Sequence, residues 1–528
     1  MVGPLTRWTQ PAALAIWWLA LTLPAATVFL PTHEWDVHPF GTFGLSVACL
    51  AVLRLAAGHR AFLLLTYPLA LFGVFAAAAN LLRNADVLEL VALGAVRPDE
   101  VAAALQPYAW ALAATTLGLA AVLALAWPHP VPRTTSFRAR NWVALLAAGG
   151  ALAWWAPMTA ARSWPLNLLT VVTASTLGRF DLLATTMPYA QVNPREPGAS
   201  WNPRRQAASA PARETYVLVI GESVRADRLR ACGGRAGWPT ASDQRLVFCD
   251  VMASSSSTHT SVPLLVSREL PGGGLRVSRD ATFLRAFEQS GFKTTWLSVQ
   301  ERSIAWPDAQ EAHYLPHRGT DQAGLLAGVQ QQLASGLDKQ MLVVHAYNAH
   351  YPYCAGFDRS SALVPVNCGA LGLAPTAGNR PAWLDAYDNA VHESMRFLDL
   401  VYEVASARGG EVFLLYTSDH GENLLDDDRA LFQHALGAPS RWDTRVPLVA
   451  MANAAWRARQ PARWEQMQRN LAQPLMHADV VPTLLGAANI TYDEPRTNVV
   501  DLTRASPGAR ARLVVQRLGQ AVDGDQLK

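Results

Sequence analysis

At 528 residues the chain is too long for one ordinary domain, so at least two units are expected. Hydrophobic residues make up 51% and charged residues only 16%, against roughly 25% charged in an average soluble protein. The formal net charge is +3, and no basic run or basic–aromatic interleaving marks a nucleic-acid surface, so nucleic acid is excluded as the expected partner.

The charge deficit falls almost wholly before residue 162. Pro11–Pro31, Ala61–Leu82, Val101–Pro128 and Asn141–Ala161 contain no charge, and a hydrocarbon core needs about 20 apolar residues to cross. A further stretch, Gly41–Ala57, carries Arg54 near its end, where the side chain can snorkel to the headgroups. Five spans are therefore expected within 1–161, as a transmembrane helical bundle in a lipid bilayer. Arg7, then Arg54 and Arg60, then Arg133, Arg138 and Arg140 fall on one side of these spans. The opposite loops hold Glu34 and Asp36, then a net acidic set from Arg83 to Glu100. Lysine and arginine favour the cytoplasmic side, which places the N-terminus inside and everything after Arg162 outside, in a periplasmic-type compartment.

Residues 162–212 read as an interfacial segment and linker. Trp164–Leu177 is apolar but interrupted, as suits a segment lying in the bilayer interface. Pro194–Pro211, rich in Pro, Arg, Ser and Ala, reads as an exposed tether.

From 213 to 528 short β-rich runs alternate with helical patterns. Tyr216–Ile220, Thr294–Val299, Met341–Tyr347, Val412–Ser418 and Val446–Met451 are predicted as buried strands of a mainly parallel sheet. Asp280–Ser290 and Ala382–Ala407 are predicted helices between them. The alternation argues for an α/β domain, whose sites form beyond the carboxyl ends of strands. Cys49 lies in an apolar stretch, whereas Cys232, Cys249, Cys354 and Cys368 fall in this exported half. Four cysteines allow three pairings; sequence proximity favours Cys354 with Cys368, leaving Cys232 with Cys249.

Three polar clusters fall at or near strand ends. Gly221-Glu222-Ser223 follows the first strand, and Ser418-Asp419-His420-Gly421-Glu422-Asn423 follows the fourth. A carboxylate from one strand end and an Asp-His pair from another are ligands suited to zinc. Between Ser254 and Pro263, seven hydroxyl residues surround His259 ahead of a helical pattern, where a helix N-terminus would favour a phosphate anion. His345 and His350, after the third strand, and His434 are candidates to hold a phosphate or a second metal.

With these stretches on view, the sequence resembles the phosphoethanolamine transferases of Gram-negative inner membranes, in the alkaline phosphatase/sulfatase superfamily. The resemblance rests on Val219 through Asp227, Thr258 through Pro263, His345 through His350 with Pro352, Tyr387-Asp388-Asn389, and Ser418 through Glu422. It implies an N-terminal five-helix bundle followed by a sulfatase-like α/β catalytic domain in the periplasm. It implies that Thr258, five residues before Pro263, is the nucleophile, and that zinc is held by Glu222, Asp419, His420 and the Thr258 oxygen. It further implies phosphate or second-zinc contacts from His350 and His434, with His345 nearby. The donor would be phosphatidylethanolamine and the acceptor an envelope glycan or lipid A, lipopolysaccharide core included. Ser254 and Leu264 stand near positions where some relatives carry cysteines, and Val299 stands where relatives often carry Asn.

A phosphoglycerol transferase shares this metal–threonine chemistry and differs chiefly in its headgroup pocket. A sulfatase needs Cys or Ser followed by x-Pro-x-Arg; Ser261-Val262-Pro263 begins that pattern, but Leu265 ends it. A non-enzymatic membrane scaffold would have no use for Glu222, Thr258, Asp419 and His420 together.

Overall fold

Strand alternation sets up both faces of the central sheet. In β1, Glu214–Gly221, the side chains of Tyr216, Leu218 and Ile220 enter one apolar core while Val217 and Val219 enter another. A strand buried on both faces needs helices on both, and the chain supplies them. The computed structural model describes residues 12–21, 50, 60–68, 70–71, 74, 109–127, 201–205, 213–238, 242–268, 282–300, 308–315, 322–371, 375–434, 439–515 and 521–528.

The remaining strands of the main sheet are β2 Arg245–Met252, β3 Lys293–Ser298, β4 Glu311–Tyr314, β5 Lys339–His345, β6 Glu411–Ser418, β7 Arg445–Ala452 and β8 Leu475–Met476. Their order across the sheet is β8-β2-β7-β6-β1-β5-β3-β4. The first core is closed by α2, Phe283–Gln289, through Phe283 and Phe287, and by the wholly buried α5, Val480–Ala487. The second is closed by α3, Gln322–Leu333, and by the 28-residue α4, Arg380–Ala407, through Tyr387, Val391, Leu398 and Val401. Burying one such aliphatic or aromatic side chain contributes about 1.5–3 kcal/mol, so the sheet faces dominate stability.

The sheet is mainly parallel, as expected, but mixed. Five neighbouring pairs are parallel, but β7 runs antiparallel to both β6 and β2. A parallel return requires a crossover over a sheet face, usually a helix. The connection 419–444 instead ends in the short helix Arg441–Thr444, immediately before β7, and the chain re-enters the sheet from the end it had left. Strand β2 is absent from the sequence expectation because Arg245 and Asp250 break its apolar run; Asp250 pairs with Arg445 and Arg512.

Two disulfides join Cys354 to Cys368, with Cα atoms 6.1 Å apart, and Cys232 to Cys249, 5.6 Å apart. The second ties the loop after β1 to β2.

The chain divides into two compact units, Met1–Pro188 and Tyr189–Lys528. In the first, residues 12–21, most of 60–71 and Ala109–Ala126 are helical, within three of the expected spans. Trp17 Nε1 donates to Thr66 Oγ1 at 3.0 Å, and Tyr67 donates to the Thr116 carbonyl at 3.0 Å. Among the described residues no helix is long and apolar enough to cross a membrane. The expected span Asn141–Ala161, the span Gly41–Ala57 apart from Leu50, the segment Trp164–Leu177 and the boundaries at 161 and 212 lie outside the described residues.

Candidate active site

Strand register brings the polar clusters to one edge. Gly221 of β1 lies opposite Ser418 of β6, Ile220 lies opposite His345 of β5, and Ser298 of β3 also pairs with His345. The residues just past these ends therefore share one rim. A side chain at Gly221 would collide with the Tyr416 ring, and one at Gly421 with the Trp442 carbonyl, so both glycines permit the close approach.

Glu222 and Ser223 leave β1 in a sharp turn, with Ser223 at φ +59°. This left-handed conformation is held from three sides: Ser223 N–H donates to Asp419 Oδ1 at 3.1 Å, Ser223 Oγ to Glu222 Oε1 at 2.8 Å, and the Tyr387 hydroxyl to the Ser223 carbonyl at 2.5 Å. Across the rim, His420 Nδ1 lies 2.8 Å from the Gly421 carbonyl and must donate to it. The bare Nε2 then faces Thr258 Oγ1 at 3.0 Å, Asp419 Oδ2 at 3.2 Å and Glu222 Oε1 at 3.3 Å. Thr258 Oγ1 is also 3.4 Å from Glu222 Oε2, and Thr258 is the first residue of α1, Thr258–Val266. Structure thus brings together Glu222, Thr258, Asp419 and His420.

The residues fit a divalent cation. Asp419 spends Oδ1 on the backbone N–H groups of Ser223 and His420, while Oδ2, fully buried, has no hydrogen-bond partner. Burial, and then the neighbouring Asp419, push the Glu222 carboxyl well above its ordinary range. Asp419 is itself held below its ordinary value: burial works against this, but His420, Thr258 and the Ser223 N–H outweigh it. Burial depresses His420 to about 4, which keeps its Nε2 lone pair available. A cation at this point would satisfy both carboxylates, the lone pair and the orphaned oxygen together.

His434 reaches the same point from the loop after β6. One donor atom each from Glu222, His420 and His434 lies within 4.8 Å of the others, and the His420 and His434 rings are 4.1 Å apart. Burial acts to lower the His434 pKa, but Glu422, whose Oε2 is 2.7 Å from Nδ1, overrides it and raises the value. His350 is 5.3 Å from His434, stacks on Tyr347, and places Nδ1 2.6 Å from the Tyr347 hydroxyl. Burial, then His434, lower His350 to about 3. His345 is buried edge-on against Trp296, its Nε2 without a hydrogen-bond partner, and burial lowers it to about 4. The structure places His345 at the end of β5 without a hydrogen bond to the other candidates. The side chain of His259 lies outside the described residues.

Three contributors carried no sequence expectation of a role. Gln300 Nε2 donates to Glu222 Oε2 at 2.7 Å and to the Ala346 carbonyl at 3.1 Å. Glu422, inside the quoted Asp-His motif, holds His434 and accepts from the Tyr353 hydroxyl at 2.7 Å. His477 lies far from every motif yet touches both the Thr258 loop and the end of β6. A polar residue just past a buried strand was a usable signal for Gln300; none pointed to His477.

The α/β domain that carries these two carboxylates, the histidine and the threonine at its rim is matched by a known family. A profile of that family, described as Sulfatase, matches residues 214–490, just over half of the chain, and the chain belongs to it. Its sequence similarity runs to phosphoethanolamine transferases: OpgE of Escherichia coli (strain K12) is 28% identical over 239 residues, 40% of this chain and 41% of that protein. The chain spans about half the length of the curated relatives it matches. The fold matches the integral membrane protein lipooligosaccharide phosphoethanolamine transferase A (EptA) from Neisseria meningitidis with a TM-score of 0.63 at 17% identity, over 91% of this chain and 96% of that one. It also matches the zinc complex of the C-terminal periplasmic domain of EptC from Escherichia coli, with a TM-score of 0.52 at 19% identity, over 63% of this chain and 97% of that one.

Proposed function

We propose that this protein is an inner-membrane, zinc-dependent transferase that moves phosphoethanolamine from phosphatidylethanolamine to an envelope glycan or glycolipid through a covalent Thr258 intermediate. The observation that carries the reading is the placement of Thr258 Oγ1 at the first turn of α1, 3.0 Å from His420 Nε2 and 3.4 Å from Glu222, beside the orphaned Asp419 Oδ2. In the first step Thr258 Oγ attacks phosphorus, the bond from phosphorus to the diacylglycerol oxygen breaks, and the threonine proton passes to water. Glu222, Thr258, Asp419 and His420 would hold a zinc ion, which when bound would lower the hydroxyl pKa and draw off phosphoryl charge. The leaving oxygen takes a proton from His434, whose protonated form Glu422 favours, while His350, whose Nδ1 donates to the Tyr351 carbonyl, can hydrogen-bond the phosphoryl group through Nε2 only when protonated. In the second step an acceptor hydroxyl or phosphate oxygen on lipid A, a lipopolysaccharide core or a periplasmic glucan attacks phosphorus, the bond from phosphorus to Thr258 Oγ breaks, and Thr258 and His434 are reprotonated by the acceptor's proton and by water.

The four charge-free stretches before residue 162, with the fifth that carries Arg54 near its end, support a bilayer-anchored enzyme with a cytoplasmic N-terminus and a periplasmic catalytic domain, because the lipid headgroup is met at the membrane surface. The experiment is tandem mass spectrometry of the zinc-loaded protein incubated with phosphatidylethanolamine, alongside lipopolysaccharide and periplasmic glycans from cells with and without it. The expected result is one phosphoethanolamine unit on Thr258, none on Thr258→Ala, and one unit gained by a single envelope species. Full activity in Thr258→Ala with no adduct anywhere would defeat the proposal.

A further inference from the structure

We infer that His477 is a positioning residue that fixes the distance between the loop carrying the nucleophile and the strand end carrying the metal ligands. Its ring is fully buried and belongs to neither segment. On one side the backbone N–H of Ser254, four residues before Thr258, points at Nδ1 from 3.3 Å. On the other, Nε2 lies 2.9 Å from the carbonyl oxygen of Ser418, the residue before Asp419. These two backbone groups dictate the tautomer: an amide can only donate, so Nδ1 is bare, and a carbonyl can only accept, so Nε2 carries the proton. Thr417 Oγ1, which donates to the Pro447 carbonyl, lies 3.3 Å from the same Nε2 and can accept from it as well.

A second tie runs beside the first. Ser261 Oγ, one turn into α1 from Thr258, donates to the Asp419 carbonyl at 2.5 Å and lies 3.3 Å from His477 Nδ1. The imidazole is in turn held from behind. Asp479 accepts the backbone N–H groups of Met476 and Val500 at 3.1 and 3.0 Å and pairs with Arg510, so the turn carrying His477 is anchored on both flanks. A histidine placed only to fill the core would need partners, but not one partner on each side of the reacting centre. Burial lowers its pKa to about 4, so the neutral tautomer that serves both bonds persists across the working range. With the bridge removed, the loop from Ser254 to Thr258 loses its tie to Ser418 and α1 keeps the Ser261–Asp419 bond, so the Thr258 hydroxyl can shift from its place beside His420 while Glu222, Asp419 and His420 remain a ligand set.

The role rests on the transfer reading above, and its test separates the two. In the full-length protein, His477→Gln keeps a donor near the Nε2 position and His477→Asn an acceptor near the Nδ1 position, so each loses one of the two bonds. Zinc content, thermal unfolding, the visible absorption of the cobalt-substituted protein, and the rate of Thr258 adduct formation are measured, with Thr258→Ala as reference. Both variants are expected to retain zinc and a cooperative melt, and their cobalt spectra should shift toward that of Thr258→Ala. Their kcat should fall roughly 100-fold with KM little changed, the scale of an ångström-sized misplacement. Wild-type spectra and kcat in both variants overturn the inference, and so does joint loss of metal and of cooperative unfolding, which would make His477 a structural residue. A wild-type protein that forms no Thr258 adduct ends the transfer reading, while the cobalt spectra still decide His477.

Discussion

Asp419 divides its two oxygens between two tasks, and the division can be tested. Oδ1 accepts two backbone N–H groups and fixes the turn; Oδ2 faces the centre with no partner. In Asp419→Asn the amide oxygen can keep both backbone bonds, but an NH2 group replaces the one atom suited to a cation. The expected outcome is loss of zinc with the fold intact. Without metal, the variant should melt close to the wild type, because relief of the burden on Glu222 opposes the loss of a carboxylate that the fold holds ionised below its ordinary range. Zinc analysis and thermal melts in chelator check both halves, and a metal-free variant much less stable than wild type would contradict the assignment. At this scale the sequence was most legible where chemistry and position coincide. Glu222, Asp419 and His420 follow buried strands directly, so strand prediction alone places them on one rim. Gln300, Glu422 and His477 act through the direction of a side chain and through contacts 59 or more residues apart in the case of His477 with β6, which periodicity does not encode.

Among the elements, α4 does more than cover a sheet face. Its Tyr387 hydroxyl donates to the Ser223 carbonyl and accepts the Arg225 N–H at 3.1 Å, so the helix grips the left-handed turn that aims Glu222. Tyr387→Phe removes one oxygen and strands two buried backbone groups, at about 1–3 kcal/mol each. The loss should appear as weaker zinc binding as well as a lower melting temperature, since the turn relaxes toward ordinary backbone angles. Metal competition titrations measure the first; unchanged zinc affinity in a destabilised variant would confine Tyr387 to packing. The extent of α4 was readable from its long amphipathic pattern, and the five long apolar strands from their unbroken runs. The orientation of β7 was not, because an apolar strand reads the same in either direction. What sets it is the connection 419–444, whose described residues hold a two-stranded ribbon, Asn423–Leu424 with Phe432–Gln433, and the short helix Arg441–Thr444 before β7 in place of a long crossover helix. That same detour delivers Glu422 and His434 to the centre, so the antiparallel strand and the second tier of the site have one cause.

For the whole molecule, the governing physical constraint is the bilayer proposed for the first 161 residues. The donor proposed here is a lipid, and an enzyme anchored beside its substrate meets it at an effective concentration that a freely diffusing one lacks. The charge distribution argues for direction. Arginines at 7, 54, 60, 133, 138 and 140 lie on one side of the charge-free stretches, and the net acidic loops lie on the other. With the five crossings proposed, retention of arginine on the cytoplasmic side would leave the N-terminus inside and the catalytic unit outside. The two disulfides of that unit agree with an oxidising compartment, where a closed loop of about 15 residues contributes roughly 3 kcal/mol. Reporter fusions test the arrangement directly. A fusion at Arg138 should report the cytoplasm and one at Lys528 the periplasm, with alkaline phosphatase active only at the second. Replacing Arg133, Arg138 and Arg140 together by neutral residues should weaken the bias at the fourth-to-fifth loop and yield a mixed population at the C-terminal fusion. An inactive alkaline phosphatase at Lys528 in the wild-type chain would overturn the topology and, with it, access of Thr258 to a periplasmic acceptor.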